Sequence, residues 1–180
     1  ERFLSSAEMG RLAEALEEEA ATALMAATAF RLLIITGCRL GEIQKLKWRC
    51  VDFEREEIRL DDSKTGQRTV YLSPQGIELL KAVPRVPGNP YVIVGDEPGA
   101  HLTDLQRPWR RVRKRAGLND VRIHDLRHTF AANAAASGLS LPMIGKLLGH
   151  TQAQTTARYA HLAADPVRRA NADVARLIAE

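Results

Sequence analysis

Apolar residues recur every third or fourth position along most of the chain, the spacing of helices that bury one face. Ser5-Ser6-Ala7-Glu8 has the form of a capping box and predicts a first helix from about Ser6 to residue 18. The apolar run over residues 20–36 predicts a second helix, stopped by Gly37. A third begins near Arg39 or Leu40 and takes in Ile43 and Leu46. The pattern then changes. Residues 48–53, 57–60 and 68–72 read as short strands, with turn chemistry at Asp61-Asp62 and at Lys64-Thr65-Gly66.

Helical spacing returns after the strands. Ser73 caps a short helix over residues 74–82, and prolines and glycine at 84–90 form a connector. Residues 91–94 read as a brief extended segment. Further helices are predicted over residues 103–116, 124–137 and 141–148, the last two stopped by Gly138 and Gly149. Thr151-Gln152-Ala153-Gln154 has the capping-box form and opens a helix that carries Tyr159. A final amphipathic helix covers residues 165–178, with an apolar stripe of Val167, Ala170, Val174 and Ile178. The sum is an α+β fold, mainly α: a helical bundle with a small three-stranded antiparallel sheet, in a single domain over residues 1–180.

Composition narrows the class. An apolar content of 45% and a charged content of 27% are those of an ordinary soluble protein. The apolar run at 20–36 falls about a turn short of the usual ~20-residue span and contains Arg31, so it reads as a buried helix, not a membrane segment. Cys38 and Cys50 give neither a disulfide framework nor zinc spacing, which fits a reducing cytoplasm. The chain begins at Glu1 without methionine or signal peptide and reads as an excised domain.

Charge is informative by its distribution. The net charge is only +4, but residues 101–130 carry eight arginines and lysines against three aspartates. Arg107, Arg110, Arg111, Arg113, Lys114 and Arg115 fall within nine positions. Such a run is either a solvated helix face or a patch that contacts DNA phosphates.

Four clusters carry candidate chemistry. His124 and Arg127, three apart on a helix, share a face and can meet one oxyanion. His128 lies on that face too. A His-x-x-x-His pair suggests zinc, but Asp125 stands where a zincin motif needs glutamate, and no metal site is expected. Arg39 follows the Gly37 turn and opens a helix, a place friendly to anions, with Glu42 one turn on to pair with it or hold it. His150 sits between a helix stop and a helix cap, which suits a fixed hydrogen-bond donor. Tyr159 alone would be an ordinary packing residue.

The order of these clusters says more than any one of them. Thr36-Gly37-x-Arg39-x-x-Glu42, then His124-x-Leu126-Arg127-His128, then Leu148-Gly149-His150, then Tyr159 nine positions on, resembles the tyrosine recombinases of the phage-integrase family. The resemblance runs from about Leu4 to His161. It implies Arg39 and Arg127 as phosphate clamps, His124 and His150 as supporting groups and Tyr159 as nucleophile. Ser63-Lys64-Thr65-Gly66, between two predicted strands, matches the family's hairpin lysine, which implies Lys64 as general acid. Cys38 stands where the family often has an aliphatic residue, a departure that touches packing and not chemistry.

What the resemblance implies is a strand transferase acting on double-stranded DNA without cofactor, metal or ATP. A phenol with a pKa of roughly 10 is mostly protonated at neutral pH, and two guanidiniums beside the phosphate favour its ionised form and the phosphorane charge. The product is a 3′-phosphotyrosine. The resemblance also implies a missing N-terminal DNA-binding domain, a monomer for the isolated piece, and a homotetramer on DNA for the full-length protein. In that tetramer the helix at residues 166–178 docks onto a neighbour, in place of packing its stripe on its own domain. Two other readings share the fold: a type IB topoisomerase and a catalytically idle DNA-binding module. A zinc hydrolase is the weakest.

Overall fold

Ser5 and Glu8 close the first turn of helix α1 (Ser6–Ala20) in the computed structural model: the Ser5 hydroxyl accepts from the Glu8 N–H and the Glu8 carboxylate accepts from the Ser5 N–H. Arg2 pairs with the same carboxylate, and this hydrogen bond holds Glu8 well below the usual carboxylate range, at about 2. The structure describes residues 2–63, 66–162, 171, 174–176 and 178. The chain divides into two units, Glu1–Phe130 and Ala131–Glu180.

In the first unit α1 packs on α2 (Leu24–Thr36) and α5 (Gln106–Arg115), and α2 also meets α3 (Leu40–Gln44) and α4 (Pro74–Ala82). Leu12, Leu16, Phe30, Leu33 and Trp109 form the centre, with the Phe30 and Trp109 rings 5.0 Å apart. Trp109 donates its indole N–H to the Val121 carbonyl at 3.0 Å, so its one polar atom is satisfied in the core. The sheet has the order β1 (Val51–Asp52), β2 (Glu57–Ser63), β3 (Gly66–Tyr71), all antiparallel. Ile58 pairs with both Val51 and Val70, and Ile58, Leu60 and Val70 face the core.

The second unit contains α7 (Leu141–Leu148) and α8 (Ala153–Ala157), which pack on each other. Helix α6 (Ile123–Ala136) begins in the first unit, and its residues from Ala131 on belong to the second. The mainly helical architecture with a small three-stranded antiparallel sheet is the one expected. Among the described residues no helix is long and apolar enough to cross a membrane.

Several element bounds move. α1 continues to Ala20 and α2 starts only at Leu24, because the Glu19 carbonyl accepts from the N–H groups of Thr22 and Ala23 and turns the chain. Trp48–Cys50 is a 3₁₀ turn, which leaves β1 only two residues. Asp61 and Asp62 lie in β2 and not in a turn, with the register shifting between Leu60 and Ser63. α5 starts at Gln106, since the Asp104 carboxylate accepts from the Gln106 and Arg107 N–H groups and ends the preceding turn there. The box at Thr151 does not form: α8 starts at Ala153 with Gln152 as its uncapped N-terminal residue. Tyr159 therefore lies past the end of α8, in a turn. Most of the final helix falls outside the described residues, as do Lys64 and Thr65; of the apolar stripe, Val174 and Ile178 are described and exposed.

Gly37 ends α2 in the left-handed region, at φ 61°, and its missing side chain matters twice. A Cβ there would lie 2.5 Å from the Phe130 ring. Gly37→Ala is expected to cost about 2–4 kcal/mol, from the left-handed strain and the overpacking together. Denaturant unfolding would read this as a lowered midpoint; an unchanged midpoint would mean the turn relaxes freely.

Candidate active site

Glu42 is the centre of the first unit's polar cluster. Its carboxylate lies 2.8 Å from Arg39 Nη1 and 3.1 Å from Arg68 Nη1, and it also accepts the Arg39 backbone N–H at 2.8 Å. Only 6% of the Glu42 and Arg68 side chains is exposed, so both charges depend on being paired. Arg127, from α6, donates to the Gly37 carbonyl at 2.5 Å. Gly37 thus ends α2, admits Phe130 and orients Arg127.

Arg39, Arg68 and Arg127 share this region with the Glu42 carboxylate. Burial first, then the positive charges of Arg39 and Arg68, pull Arg127 down to about 10. Burial opposes any charge there, whereas the repulsion from Arg39 and Arg68 is what added negative charge relieves. An anion brought into the cluster would therefore be held there favourably.

His124 is exposed one turn before Arg127, and its ring meets His128 edge to face at 4.7 Å. A cavity of about 420 Å³ opens beside them, lined by Cys38, Leu40, Trp109, Arg122, His124 and Arg127 among others. His124 and Arg127 both line this cavity. Asp125 is fully buried. Burial raises its carboxyl, but the hydrogen bonds from Arg122 prevail and hold it below the usual range. Burial pushes the Cys38 thiol up, as suits a packing residue. Among the described residues no group of three histidines, cysteines or carboxylates is placed to hold a metal.

In the second unit Gly149 ends α7 at φ 67°, and the next residue, His150, donates its N–H to the Gly145 carbonyl at 2.9 Å. The His150 ring meets the Thr156 hydroxyl through Nδ1 at 2.9 Å. Tyr159 is 2% exposed and its N–H donates to the Thr156 carbonyl at 3.0 Å. Of the residues named from the sequence, Arg39, Glu42, His124, Arg127 and His128 lie in the first unit; His150 and Tyr159 lie in the second.

Arg68 escaped the sequence reading. The signal was there: it alternates with Val70 and Leu72, so the strand pattern turns a charge inward beside two apolar side chains. The basic run is largely committed to the protein itself. Arg111 and Arg115 pair with Glu19, which is fully buried; Arg115 also pairs with Glu18, Arg107 with Asp104, and Arg113 donates to the Val121 carbonyl. Arg110 and Lys114 are exposed. A second groove, of about 600 Å³, is lined by Arg39, Lys45, Lys47 and Arg49 among others, and adjoins the Glu42 cluster directly.

This fold is that of the tyrosine recombinase catalytic domains. The chain belongs to the phage integrase family, which it matches over residues 2–165. It is 33% identical to the tyrosine recombinase XerA of Saccharolobus solfataricus over 144 residues, which is 77% of this chain and 46% of that protein. The chain thus spans about half the length of that relative. A crystal structure of XerA recombinase superposes with a TM-score of 0.74 at 28% identity, covering 96% of this chain and 63% of that one. The catalytic domain of bacteriophage HP1 integrase superposes with a TM-score of 0.71 at 25% identity, covering 93% of this chain and 92% of that one.

A buried cationic cluster of this kind should bind a tetrahedral anion. Inorganic phosphate at constant ionic strength is expected to raise the melting temperature. At tenfold over its dissociation constant the gain is about 1.4 kcal/mol, or ~3–5 °C. Arg127→Gln should lose most of that gain. An equal shift in both proteins, by differential scanning fluorimetry, would place the anion elsewhere.

Proposed function

We propose that this chain is the catalytic part of a site-specific DNA recombinase that cuts and rejoins strands through a 3′-phosphotyrosine. The observation that carries the reading is the buried Arg127, depressed first by burial and then by its neighbours Arg39 and Arg68, and oriented by the Gly37 carbonyl. A scissile phosphate supplies negative charge where these guanidiniums converge. Family membership supplies the reaction class, and the relatives are recombinases and integrases, which does not favour the topoisomerase or idle-module readings.

The chemistry comes from the groups present. Arg39 and Arg127 engage the non-bridging oxygens, where a planar fork matches two oxygens at once. Glu42, held also by Arg68, keeps Arg39 in place. His124 and His150 donate to the same phosphate, and His128 supports the His124 ring. The Tyr159 phenolic oxygen gives its proton to water and attacks phosphorus, forming the O–P bond as the bond to the 5′-oxygen breaks. Negative charge builds on the phosphorane, where the guanidiniums stabilise it more than in the ground state. The 5′-oxygen leaves with a proton from Lys64. Because the phosphotyrosine keeps the ester bond, a second 5′-hydroxyl reverses the step and reseals the strand.

Double-stranded DNA is the proposed partner, and the groove of Lys45, Lys47 and Arg49 is the nearest basic track for its backbone. Most of the 107–115 run is tied to the protein's own groups and supports this less well. A homotetramer on DNA is the proposed working assembly of the full-length protein, with the isolated chain a monomer.

A pool of nicked duplexes of randomised sequence tests the reading, since the small cleaved fragment diffuses away and traps the adduct. The wild-type chain is expected to form an SDS-stable adduct that mass spectrometry locates on Tyr159, and Tyr159→Phe none. An adduct of the Phe variant at wild-type yield would overturn the nucleophile. On a duplex recovered from the pool, Arg39→Lys and Arg127→Lys should each slow cleavage by about 10²–10³, comparable to losing an oxyanion donor.

Lys64 is tested by a 5′-phosphorothiolate, whose sulfur leaving group needs little protonation. Lys64→Ala should be slow on ordinary DNA and largely rescued on this substrate. An equal defect on both would remove Lys64 from the role of general acid.

A further inference from the structure

Thr156 occupies a buried corner of the second unit, 2% exposed, where three separate features meet. Its hydroxyl lies 2.9 Å from His150 Nδ1. Its carbonyl accepts the Tyr159 N–H at 3.0 Å. The residue facing it across α7 is Gly145, where an added Cβ would stand 3.1 Å from the Thr156 hydroxyl oxygen. Gly145 also accepts the His150 N–H through its carbonyl, at 2.9 Å. His150 is thus held at its backbone by Gly145 and at its ring by Thr156, and the same Thr156 holds the backbone of Tyr159.

We propose that Thr156 is a positioning residue that sets the proton of the His150 imidazole on Nε2 and ties that ring to the backbone carrying Tyr159. This rests on the role proposed for His150 as a donor to the scissile phosphate. In the neutral ring, the hydroxyl donating to Nδ1 leaves the single proton on Nε2, which is the nitrogen then able to donate. Loss of this bond removes the preference it gives for the Nε2 proton and loosens the ring's orientation. The glycine at 145 leaves room for the hydroxyl: a Cβ there would crowd the Thr156 oxygen and shift it by a few tenths of an ångström relative to the ring. The corner between α7 and α8 is short, so nothing in regular helix geometry would align a histidine before α8 with a tyrosine after it. Thr156 does this with one residue.

Three variants of the 180-residue protein separate this role from plain packing. Thr156→Val keeps the shape and removes the hydroxyl, Thr156→Ser keeps the hydroxyl, and Gly145→Ala moves the hydroxyl without deleting it. The first readout is independent of DNA: the ¹⁵N shifts of the two His150 ring nitrogens across a pH titration, assigned by their loss in His150→Gln. The expected result is a wild-type and Thr156→Ser ring with its proton on Nε2, and a shift towards the Nδ1 tautomer in Thr156→Val and Gly145→Ala. Unchanged His150 shifts in Thr156→Val would overturn the proposal, whether or not the chain cuts DNA.

The second readout is adduct formation on a nicked duplex recovered from the randomised pool. Thr156→Val should lose about tenfold in the rate constant at saturating DNA, the worth of one hydrogen bond, with the dissociation constant for DNA unchanged. Thr156→Ser should recover most of it. A Thr156→Ser variant as slow as Thr156→Val would mean that methyl packing and not the hydroxyl matters, and would also overturn the proposal. If the tautomer moves as expected but the wild type forms no adduct, the positioning of His150 stands and the recombinase reading fails.

Discussion

One carboxylate ties together the charges of the first unit. Glu42 meets Arg39 and Arg68 at once, nearly excluded from water. Arg39 opens α3 and Arg68 stands on β3, so this shared carboxylate joins the turn after α2 to the sheet. A buried acid with two guanidiniums repays its desolvation better than with one, because each of its oxygens gains a charged donor. The cost falls on Arg127, which is pulled down first by burial and then by both arginines. Its carbonyl partner on Gly37 orients it without neutralising it. An anion placed there would relieve the repulsion among the three guanidiniums.

Much of the fold was legible because caps are local chemistry. Ser5 with Glu8, Ser73 before Pro74 and Gly149 after α7 all act at the residues where the sequence placed them, while the Ser140 cap of α7 is seen only in the structure. The turn at Ala21–Ala23 was not legible, since alanine and threonine carry no turn signature and the apolar run continues across them. The Glu19 carbonyl makes that turn, and its side chain explains why it is held there: it is fully buried against Arg111 and Arg115 from α5. A contact some ninety residues away decided a local bound. The same holds for Thr151, whose capping-box spelling lost to a corner organised by Thr156 and His150.

The candidate site was legible at the level of residue types and order, and less so in how charge is used. Six basic residues in nine positions are the loudest electrostatic signal in the chain, yet two of them, Arg111 and Arg115, serve to anchor α5 on α1. Glu17, Glu18 and Glu19 at the end of α1 form a separate negative block in the sequence. Sequence shows both blocks but not that they neutralise each other, because pairing over that distance depends on the packing of α1 on α5. The quieter set, Lys45, Lys47 and Arg49, sits around a groove continuous with Arg39. For binding a polyanion, position beside a buried cationic cluster counts for more than local density of charge.

Tyr159 is a candidate nucleophile that no helix carries. Expected two turns into α8, it instead comes after a helix of five residues, in a turn closed by its own N–H on the Thr156 carbonyl. A tyrosine inside a long helix would inherit its direction from many backbone hydrogen bonds, and losing one would matter little. Here a few bonds around a single threonine define where the backbone goes. Such an arrangement is less stable locally, and it also leaves the phenol's placement independent of the register of a long element. A nucleophile that must meet a phosphate held by other residues gains from that independence only if its neighbours in the corner are tightly specified. The glycine at 145 and the hydroxyl at 156 supply that specification within about a dozen residues of sequence, which is why so short a stretch can hold two of the proposed catalytic groups.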